Sequence, residues 1–266
     1  MRYLQIAAMI FALASVAAAE EWSKNYTVAG KPDLKVDTSD ANIRVDTWDK
    51  NVIEARVITQ GYKIGEHGIQ IYDHQSGDSV ELEVRFPHRH YLGIYINHGS
   101  HRHRVDIEVH MPREGRVNLR TGDGRIQLTG LKGDMEVTTG DGHQEIQSVE
   151  GVLRAHAGDG HISATGRFEG LDITTGDGRV EATALPGSLV SQSWILHTGD
   201  GSVTLHLPDT LAADVELHTG DGHITVDMPL TVSGRLGSKN IHGKLNGGGN
   251  LLTVRTGDGS IHLEKS

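Results

Sequence analysis

Residues 121–124 read Thr-Gly-Asp-Gly, and this stretch returns so regularly that it sets the architecture of the chain. Further copies begin at residues 139, 175, 198, 219 and 256, and a variant begins at Ala157. The aspartates of the first four copies are 18 residues apart, and the later gaps are 23, 21 and 37 residues. Leu236–Ile241, inside the longest gap, fits as a degenerate copy. A fixed period of this length predicts a repeat protein.

Each repeat encodes two short strands, as the stretch Gly124–Asp141 illustrates. We call each Thr-Gly-Asp-Gly stretch a corner. Ile126 and Leu128 alternate with polar residues after one corner, and Met135 and Val137 alternate with polar residues before the next. Alternation with period two predicts a strand with one buried face. We expect the corner glycines to adopt positive φ, and the aspartates to bond their own backbone in Asx-turns. The aspartates given this structural role are Asp123, Asp141, Asp159, Asp177, Asp200, Asp221 and Asp258.

Two architectures fit this pattern. In an antiparallel meander, each Asp-Gly would be a hairpin turn. In a β-solenoid, each coil stacks on the previous one, and equivalent residues lie about 4.8 Å apart. The solenoid is favoured because every coil then reuses the same threonine and the same turn. It predicts one inward column, in which Gln144 is the polar misfit that needs a hydrogen-bond partner. The apolar members of that column are Ile126, Ile162, Val180, Val203, Ile224 and Ile261.

The organisation outside the regular array is also predictable. Residues 1–19 are typical of an export signal, with Arg2, an apolar core from Leu4 to Val16 and a small-residue cleavage site. Residues 20–112 form irregular β coils and a cap, interrupted by a His/Arg-rich loop at 88–104, and residues 113–266 form the regular solenoid. Thr38–Val45 resembles the repeat, so the array can begin there. An insertion from Leu185 to Trp194 is expected to bulge from the stack.

Composition narrows the classes of function. The formal net charge of −10 disfavours non-specific nucleic-acid binding, although the 17 histidines make the charge strongly dependent on pH near 6. There is no cysteine, and no later apolar run is long enough to span a membrane. We therefore expect an exported protein of the periplasm, the cell surface or the exterior. Glu264 and Lys265 would protect the open edge of the last coil.

Particular runs resemble a known family. The run V-x-M-P-x-x-G-R-V-N-L-R-T-G-D-G-R-I-Q-L from Val109 to Leu128 is similar to the bacterial "putative adhesin" family of exported proteins. The units G-D-M-E-V-T-T-G-D-G and G-L-D-I-T-T-G-D-G resemble it as well. The resemblance implies a right-handed, β-helix-like solenoid, and it transfers no catalytic residue. The abundance of histidine departs from the family pattern.

The aspartate column admits three interpretations. The first is turn chemistry, which needs no ion. The second is a calcium site, but calcium-binding β-rolls carry a fuller glycine-rich motif in both halves of each coil. The third is a glycosidase, because carboxyl groups on adjacent coils would stand about 5 Å apart. No pair is marked as acid and nucleophile, so turn chemistry is favoured, and no cofactor or catalytic residue is predicted.

The outward residues beside the corners are the candidate binding site. Arg125, His143, His161 and Arg179 follow four consecutive corners and would form what we call the basic column. Before the corners, the outward residues are Arg120, His156, His197, His218 and Arg255. The predicted partner is an acidic envelope polymer or a surface protein, and a solvated face is the alternative. A zinc site at His143 and His161 would have only two ligands. A metal or anion site in the loop 88–104, which has five histidines, lacks a helical His-x-x-x-His pair and an interleaved carboxylate, so a solvated loop is favoured.

Overall fold

The computed structural model describes residues 19–87, 103–232 and 239–266, so the predicted signal and most of the predicted loop 88–104 lie outside the described residues. Every regular element in the described part is a β-strand. The strands are β1 (Glu20–Thr27), β2 (Asp33–Thr38), β3 (Asn42–Trp48), β4 (Val52–Gln60), β5 (Gln70–Ser76), β6 (Ser79–Arg85), β7 (Arg104–Pro112), β8 (Glu114–Thr121), β9 (Ile126–Thr129), β10 (Lys132–Thr139), β11 (Gln144–Ala157), β12 (Ile162–Thr175), β13 (Val180–Ala184), β14 (Trp194–Thr198), β15 (Val203–Leu207), β16 (Ala213–Thr219), β17 (Ile224–Asp227), β18 (Thr231–Val232), β19 (Asn240–Leu245), β20 (Leu251–Thr256) and β21 (Ile261–Lys265).

The strands form two faces with the core between them. Strands that follow the corners make the front face, in the order β1, β4, β7, β3, β9, β11, β12, β13, β15, β21, β17. Strands that precede the corners make the back face, in the order β5, β6, β2, β8, β10, β11, β12, β14, β20, β16, β19, β18. The long strands β11 and β12 pass from one face to the other and so belong to both.

The pairing of the corners confirms the solenoid and rules out hairpins at the Asp-Gly turns. Gln144 pairs in parallel with Ile126 on one side and with Ile162 on the other. The predicted inward column is confirmed, and its members are fully buried apart from the partly buried Ile224. Burying each large aliphatic side chain stabilises the fold by about 1.5–3 kcal/mol.

The corner glycines are needed for close approach, which corrects the expectation of positive φ. Among the described residues, the glycines with positive φ lie elsewhere, for example at Gly130 and Gly151. A Cβ added to Gly142 would stand 1.9 Å from the carbonyl oxygen of Gly124, and one added to Gly178 would stand 1.9 Å from that of Gly160. Such contacts are impossible, so the second glycine of each corner lets adjacent coils stack.

Gln144 finds the hydrogen-bond partners predicted for it. Its Nε2 donates to the carbonyl oxygen of His156 at 2.6 Å and to Oγ1 of Thr139 at 3.1 Å. In the same coil as His156, Ala157 replaces the usual corner threonine, so no hydroxyl from that corner reaches Gly142. Thr139 instead donates to Gly142 of its own corner, at 2.9 Å. The two departures from the repeat therefore lie next to each other.

The order of the coils in space differs from their order in the chain. The predicted first coil is confirmed, because β3 pairs with β9 although about 80 residues separate them. At the other end, β20 and β21 lie between the coil β14–β15 and the coil β16–β17. The expectation that residues 251–265 form the exposed last coil was therefore wrong.

Two further expectations need correction. The described part of the degenerate copy leads into β19, which pairs antiparallel with β16 and with β18 and so does not stack as a parallel coil. The insertion does form a loop, but Trp194 does not belong to it. Trp194 begins β14, is fully buried, and packs edge-on against Phe168 with ring centroids 6.2 Å apart.

Candidate functional site: the basic column and its groove

The structure places the four predicted binding residues side by side on the front face. The backbone nitrogens of Ile126, Gln144 and Ile162 donate to the carbonyl oxygens of His143, His161 and Arg179, at 2.9, 2.9 and 3.0 Å. Each member of the basic column therefore lies one coil from the next. Arg125, His143 and Arg179 are exposed, and His161 is partly buried. Beyond Arg179 the same position is held, in spatial order, by Ser202, Ser260 and His223.

The two histidines of the column contact each other. Their ring centroids are 6.0 Å apart with an interplanar angle of 68°. The backbone nitrogen of His161 donates to Nδ1 of His143 at 3.3 Å, so this ring nitrogen accepts and carries no proton when the bond is made. The bond therefore selects the tautomer of His143 that carries its proton on Nε2.

The pKa of His161 lies below the ordinary value for histidine. Its pKa is lowered, first by burial and then by the positive charges of Arg179 and His143, with Glu181 acting in the opposite direction. Protonation of His161 therefore needs a lower pH than the ordinary value of 6.5.

The first two residues of the basic column line a groove of about 710 Å³ on the front face. The groove crosses from the regular array onto the irregular coils before it. Its polar lining consists of Asn42, Arg44, Arg104, Asp106, Glu108, Asp123, Arg125, Gln127, Asp141 and His143. Acidic and basic side chains are therefore mixed in it.

Most cations of the groove are already engaged. Arg104 Nε lies 2.7 Å from Asp106, and Arg44 donates to Gln127 at 2.7 Å. The backbone of Arg125 is bonded to β3: its nitrogen donates to Oδ1 of Asn42 at 3.0 Å, and its carbonyl oxygen accepts from the nitrogen of Ile43 at 2.8 Å. Within the described part of the chain, its guanidinium makes no hydrogen bond or ion pair. Arg125 is therefore the groove cation best placed to receive an external anion.

The seven corner aspartates stack along the edge beside this column. Their spatial order is 123, 141, 159, 177, 200, 258 and 221, which follows the backbone bonds between the corners. In the described residues no carboxylate of this set bonds its own turn. The one side-chain partner is Lys239 Nζ, 3.1 Å from Asp221. No group of three or more potential metal ligands occurs among the described residues.

Sequence reasoning missed the part of the groove that the irregular coils provide. Asn42 and Arg44 lie on β3, and Arg104, Asp106 and Glu108 lie on β7. The likeness of Thr38–Val45 to the repeat was the available signal, since it places Asn42 at the position of Arg125. Nothing comparable marks β7. Of the predicted loop 88–104, His103 and Arg104 are described, and the His103 ring packs on Tyr62 with centroids 4.8 Å apart.

A stack of two-strand coils with a polar groove on one face defines the class, a β-solenoid repeat protein. The chain belongs to the Toastrack DUF4097 family, whose sequence profile matches residues 31–264. A comparison with curated proteins found no match. In the part of the chain that the structure describes, no helix has the length and apolar character needed to cross a membrane.

Several solved structures are similar at low identity. A "putative cell adhesion protein" from Clostridium sporogenes is 15% identical, with 94% of this chain and 100% of that chain covered and a TM-score of 0.45. A "putative adhesin" from Bacteroides fragilis is 13% identical, with 93% and 98% covered and a TM-score of 0.41. A "putative lipid binding protein" from Parabacteroides distasonis is 12% identical, with 92% and 95% covered and a TM-score of 0.40.

Proposed function

We propose that this protein is an exported, non-enzymatic binding protein of the bacterial cell envelope, and that its basic column binds an anionic polymer. The observation that carries the proposal is the alignment of Arg125, His143, His161 and Arg179 on four adjacent coils. A linear polymer with regularly spaced carboxylate or phosphate groups meets several equivalent contacts on such a column. Export is supported by the pattern of residues 1–19.

Multivalency makes weak exposed contacts sufficient. A single exposed ion pair contributes about 0.2–1 kcal/mol, which would not retain a ligand by itself. When the contacts lie on one rigid face, binding at the first makes the later ones intramolecular, and the affinity rises by orders of magnitude. The guanidinium of Arg125, which has no partner among the described residues, offers a bidentate contact in the groove, and the guanidinium of Arg179 offers a second one at the other end of the column.

The aspartate column opposes this binding. Asp141 and Asp159 flank His143 and His161 at the corners and are exposed to water. In water, a charge at 4 Å contributes only about 1 kcal/mol, and salt screens it further. The aspartates therefore lower the affinity without abolishing it. Replacing both by Asn should strengthen polymer binding, whereas a merely solvated face would show no response.

The affinity should also depend on pH. Because the pKa of His161 is lowered by burial and by Arg179, this residue adds positive charge only below the ordinary value of 6.5. Binding should therefore continue to strengthen as the pH falls from about 7.5 to about 5.5, and it should weaken with added salt.

The test compares two double variants of equal charge. Soluble polygalacturonate, a carboxylate polymer, is titrated into the protein by calorimetry at about pH 6 and low salt. Arg125→Gln with Arg179→Gln should weaken binding by about tenfold or more. The control, Arg120→Gln with Arg154→Gln, removes the same charge from the back face and should stay near the wild-type affinity. Equal losses of affinity in the two double variants would mean that net charge alone explains the binding. Release of new reducing ends from the polymer would favour a polysaccharide-acting enzyme instead.

A further inference from the structure

A second basic group lies on the back face, where chain order would not place it. β20 lies between β14 and β16, and the parallel register aligns Arg255 with His197 on one side and with His218 on the other. Each of the three residues comes just before the buried threonine of its corner, so its side chain points outward, and all three are exposed. We call His197, Arg255 and His218 the back-face cluster.

The members of the cluster are not neutralised within their row. Neighbouring strands are about 4.8 Å apart, so three basic side chains stand next to one another. The next residue along this row is Thr174 on β12, and Asn240 on β19 closes the other end. In the described residues, the guanidinium of Arg255 makes no hydrogen bond or ion pair.

The hydrogen bond at His218 leaves its other ring nitrogen available. Nδ1 of His218 donates to Oδ1 of Asn240 at 2.5 Å, because an amide oxygen can only accept. Nε2 is therefore the nitrogen that gains a proton when the ring becomes charged, and that gain leaves the bond to Asn240 intact. One further histidine, His242 on β19, pairs with Glu216 in the neighbouring outward row, and its Nδ1 lies 3.9 Å from the carboxylate of Glu216.

The acidic groups near the cluster lie outside its row. Glu216 is two residues before His218 on β16, and Asp172 lies in the same outer row on β12. At the corners, Asp200, Asp258 and Asp221 stand on the far side of the threonines, and Asp221 is paired with Lys239. The cleft beside Arg255, about 280 Å³, is lined by Glu216, Leu217, His218, Asn240, His242 and Arg255.

We propose that the back-face cluster is a binding site for a phosphoryl group carried by a small molecule or a lipid. A guanidinium with an imidazole on either side offers donors from three adjacent side chains to a compact tetrahedral oxyanion, and the arginine fork matches the geometry of a phosphate. Charging the imidazoles strengthens the site, because each ring then donates from Nε2. The site is on the opposite face from the basic column, and it does not depend on the function proposed for that column.

The experiment follows the imidazole signals of the full-length protein, labelled with ¹⁵N-histidine, while sodium phosphate replaces sodium chloride at constant ionic strength. At about pH 6, the signals of His197 and His218 should shift together and saturate. Arg255→Gln should weaken phosphate binding by about tenfold or more, because it removes the bidentate contact. The control Arg154→Gln removes an exposed arginine from the same face and should keep the wild-type affinity.

Two further measurements test whether histidine protonation contributes to binding and whether the phosphoryl group belongs to a soluble molecule or to a lipid. Sulfate remains a dianion between about pH 6 and pH 8, so a weaker sulfate affinity at the higher pH would show that histidine protonation contributes. Glycerol phosphate and phosphatidic acid vesicles in phosphatidylcholine distinguish a soluble ligand from a lipid headgroup. Equal phosphate affinities of the wild type and Arg255→Gln would overturn the proposal, as would unsaturable shifts. The affinity of Arg255→Gln for polygalacturonate should equal that of the wild type, so this proposal and the one for the basic column can be refuted independently.

Discussion

Thr175 donates its buried hydroxyl hydrogen to the carbonyl oxygen of Gly160 in the neighbouring coil, over 2.9 Å. The same contact joins Thr198 to Gly178 at 2.9 Å, and it recurs at other corners. The carbonyl lies where two coils approach most closely, so water cannot replace the hydroxyl there. At these corners the threonine of the repeat therefore ties one coil to the next.

Replacing Thr175 by Val preserves the shape of the side chain and removes the donor. We expect the free energy of unfolding to fall by about 1–3 kcal/mol, because a buried carbonyl group loses its partner. Thr174→Val is the control, since Thr174 points outward on the same strand and should change stability by about 0.5 kcal/mol or less. Urea denaturation measures both variants. Equal effects at the two positions would show that the hydroxyl is not a tie.

Gly178→Ala tests the requirement for close stacking. The added Cβ would stand 1.9 Å from the carbonyl oxygen of Gly160, so the coils would have to separate. We expect a loss of about 3 kcal/mol or more, at the upper end of what overpacking costs. Gly247→Ala provides the contrast, because Gly247 has a φ of 91° and open space around it. Its cost should be near 1 kcal/mol, and comparable unfolding free energies for both variants would contradict the stacking argument.

Gln144 and Ala157 should be energetically coupled. Gln144→Ile alone removes the bonds to His156 and Thr139, and Ala157→Thr alone crowds the amide. Together the two substitutions restore the pattern of the other coils, in which the corner threonine bonds the adjacent glycine carbonyl. A double-mutant cycle should therefore give a favourable coupling of about 0.5–3 kcal/mol. Additive effects would mean that the two departures from the repeat are independent.

The pKa of His161 should respond to Arg179. Burial is the largest cause of its lowered value and the charge of Arg179 is the next, so Arg179→Gln should move the pKa back toward 6.5 without restoring it fully. NMR titration of the ring protons gives the value directly. Arg154→Gln, on the other face, should leave it unchanged, and an unchanged value in Arg179→Gln would refute the assigned cause.

The same shift makes a prediction about stability. In the unfolded chain this histidine takes up its proton near pH 6.5, whereas the folded chain takes it up at lower pH. The stabilising contribution is therefore complete above that value and is lost as the pH falls through the folded pKa. Compared with His161→Asn, the wild type should lose more free energy of unfolding between about pH 7 and about pH 5. Parallel pH profiles for the two proteins would contradict this assignment.

Much of the regular array could be predicted because local pattern and inter-coil packing agree. Ile126 and Leu128 alternate with polar residues, and the 18-residue period aligns like with like, so the strands and the inward column followed directly. The role of the corner glycines did not follow, because both a positive φ and a close contact select glycine. The structure separates these causes at Gly178, where the neighbouring carbonyl oxygen occupies the place of a Cβ.

The spatial order of the last coils could not be predicted. Thr198, Thr219 and Thr256 begin identical corners, so each coil offers the same stacking surface and the repeat does not encode which coil follows which. The groove escaped prediction for a related reason. Asn42 and Arg125 are neighbours although strands β4 to β8 lie between them in the chain, and the period of the repeat does not predict a pairing across so long a separation.

The intercalated coil of residues 251–265 has a consequence for the order of folding. Up to Leu207, each coil can add to the one made before it, as nearest-neighbour stacking allows in a repeat protein. One side of β16 pairs with β19, but residues 213–227 join the array itself only through β20 and β21. Residues 213–227 can therefore take their native place only after residues 251–265 have emerged during synthesis. A chain stopped at residue 250 would consequently lose two coils rather than one.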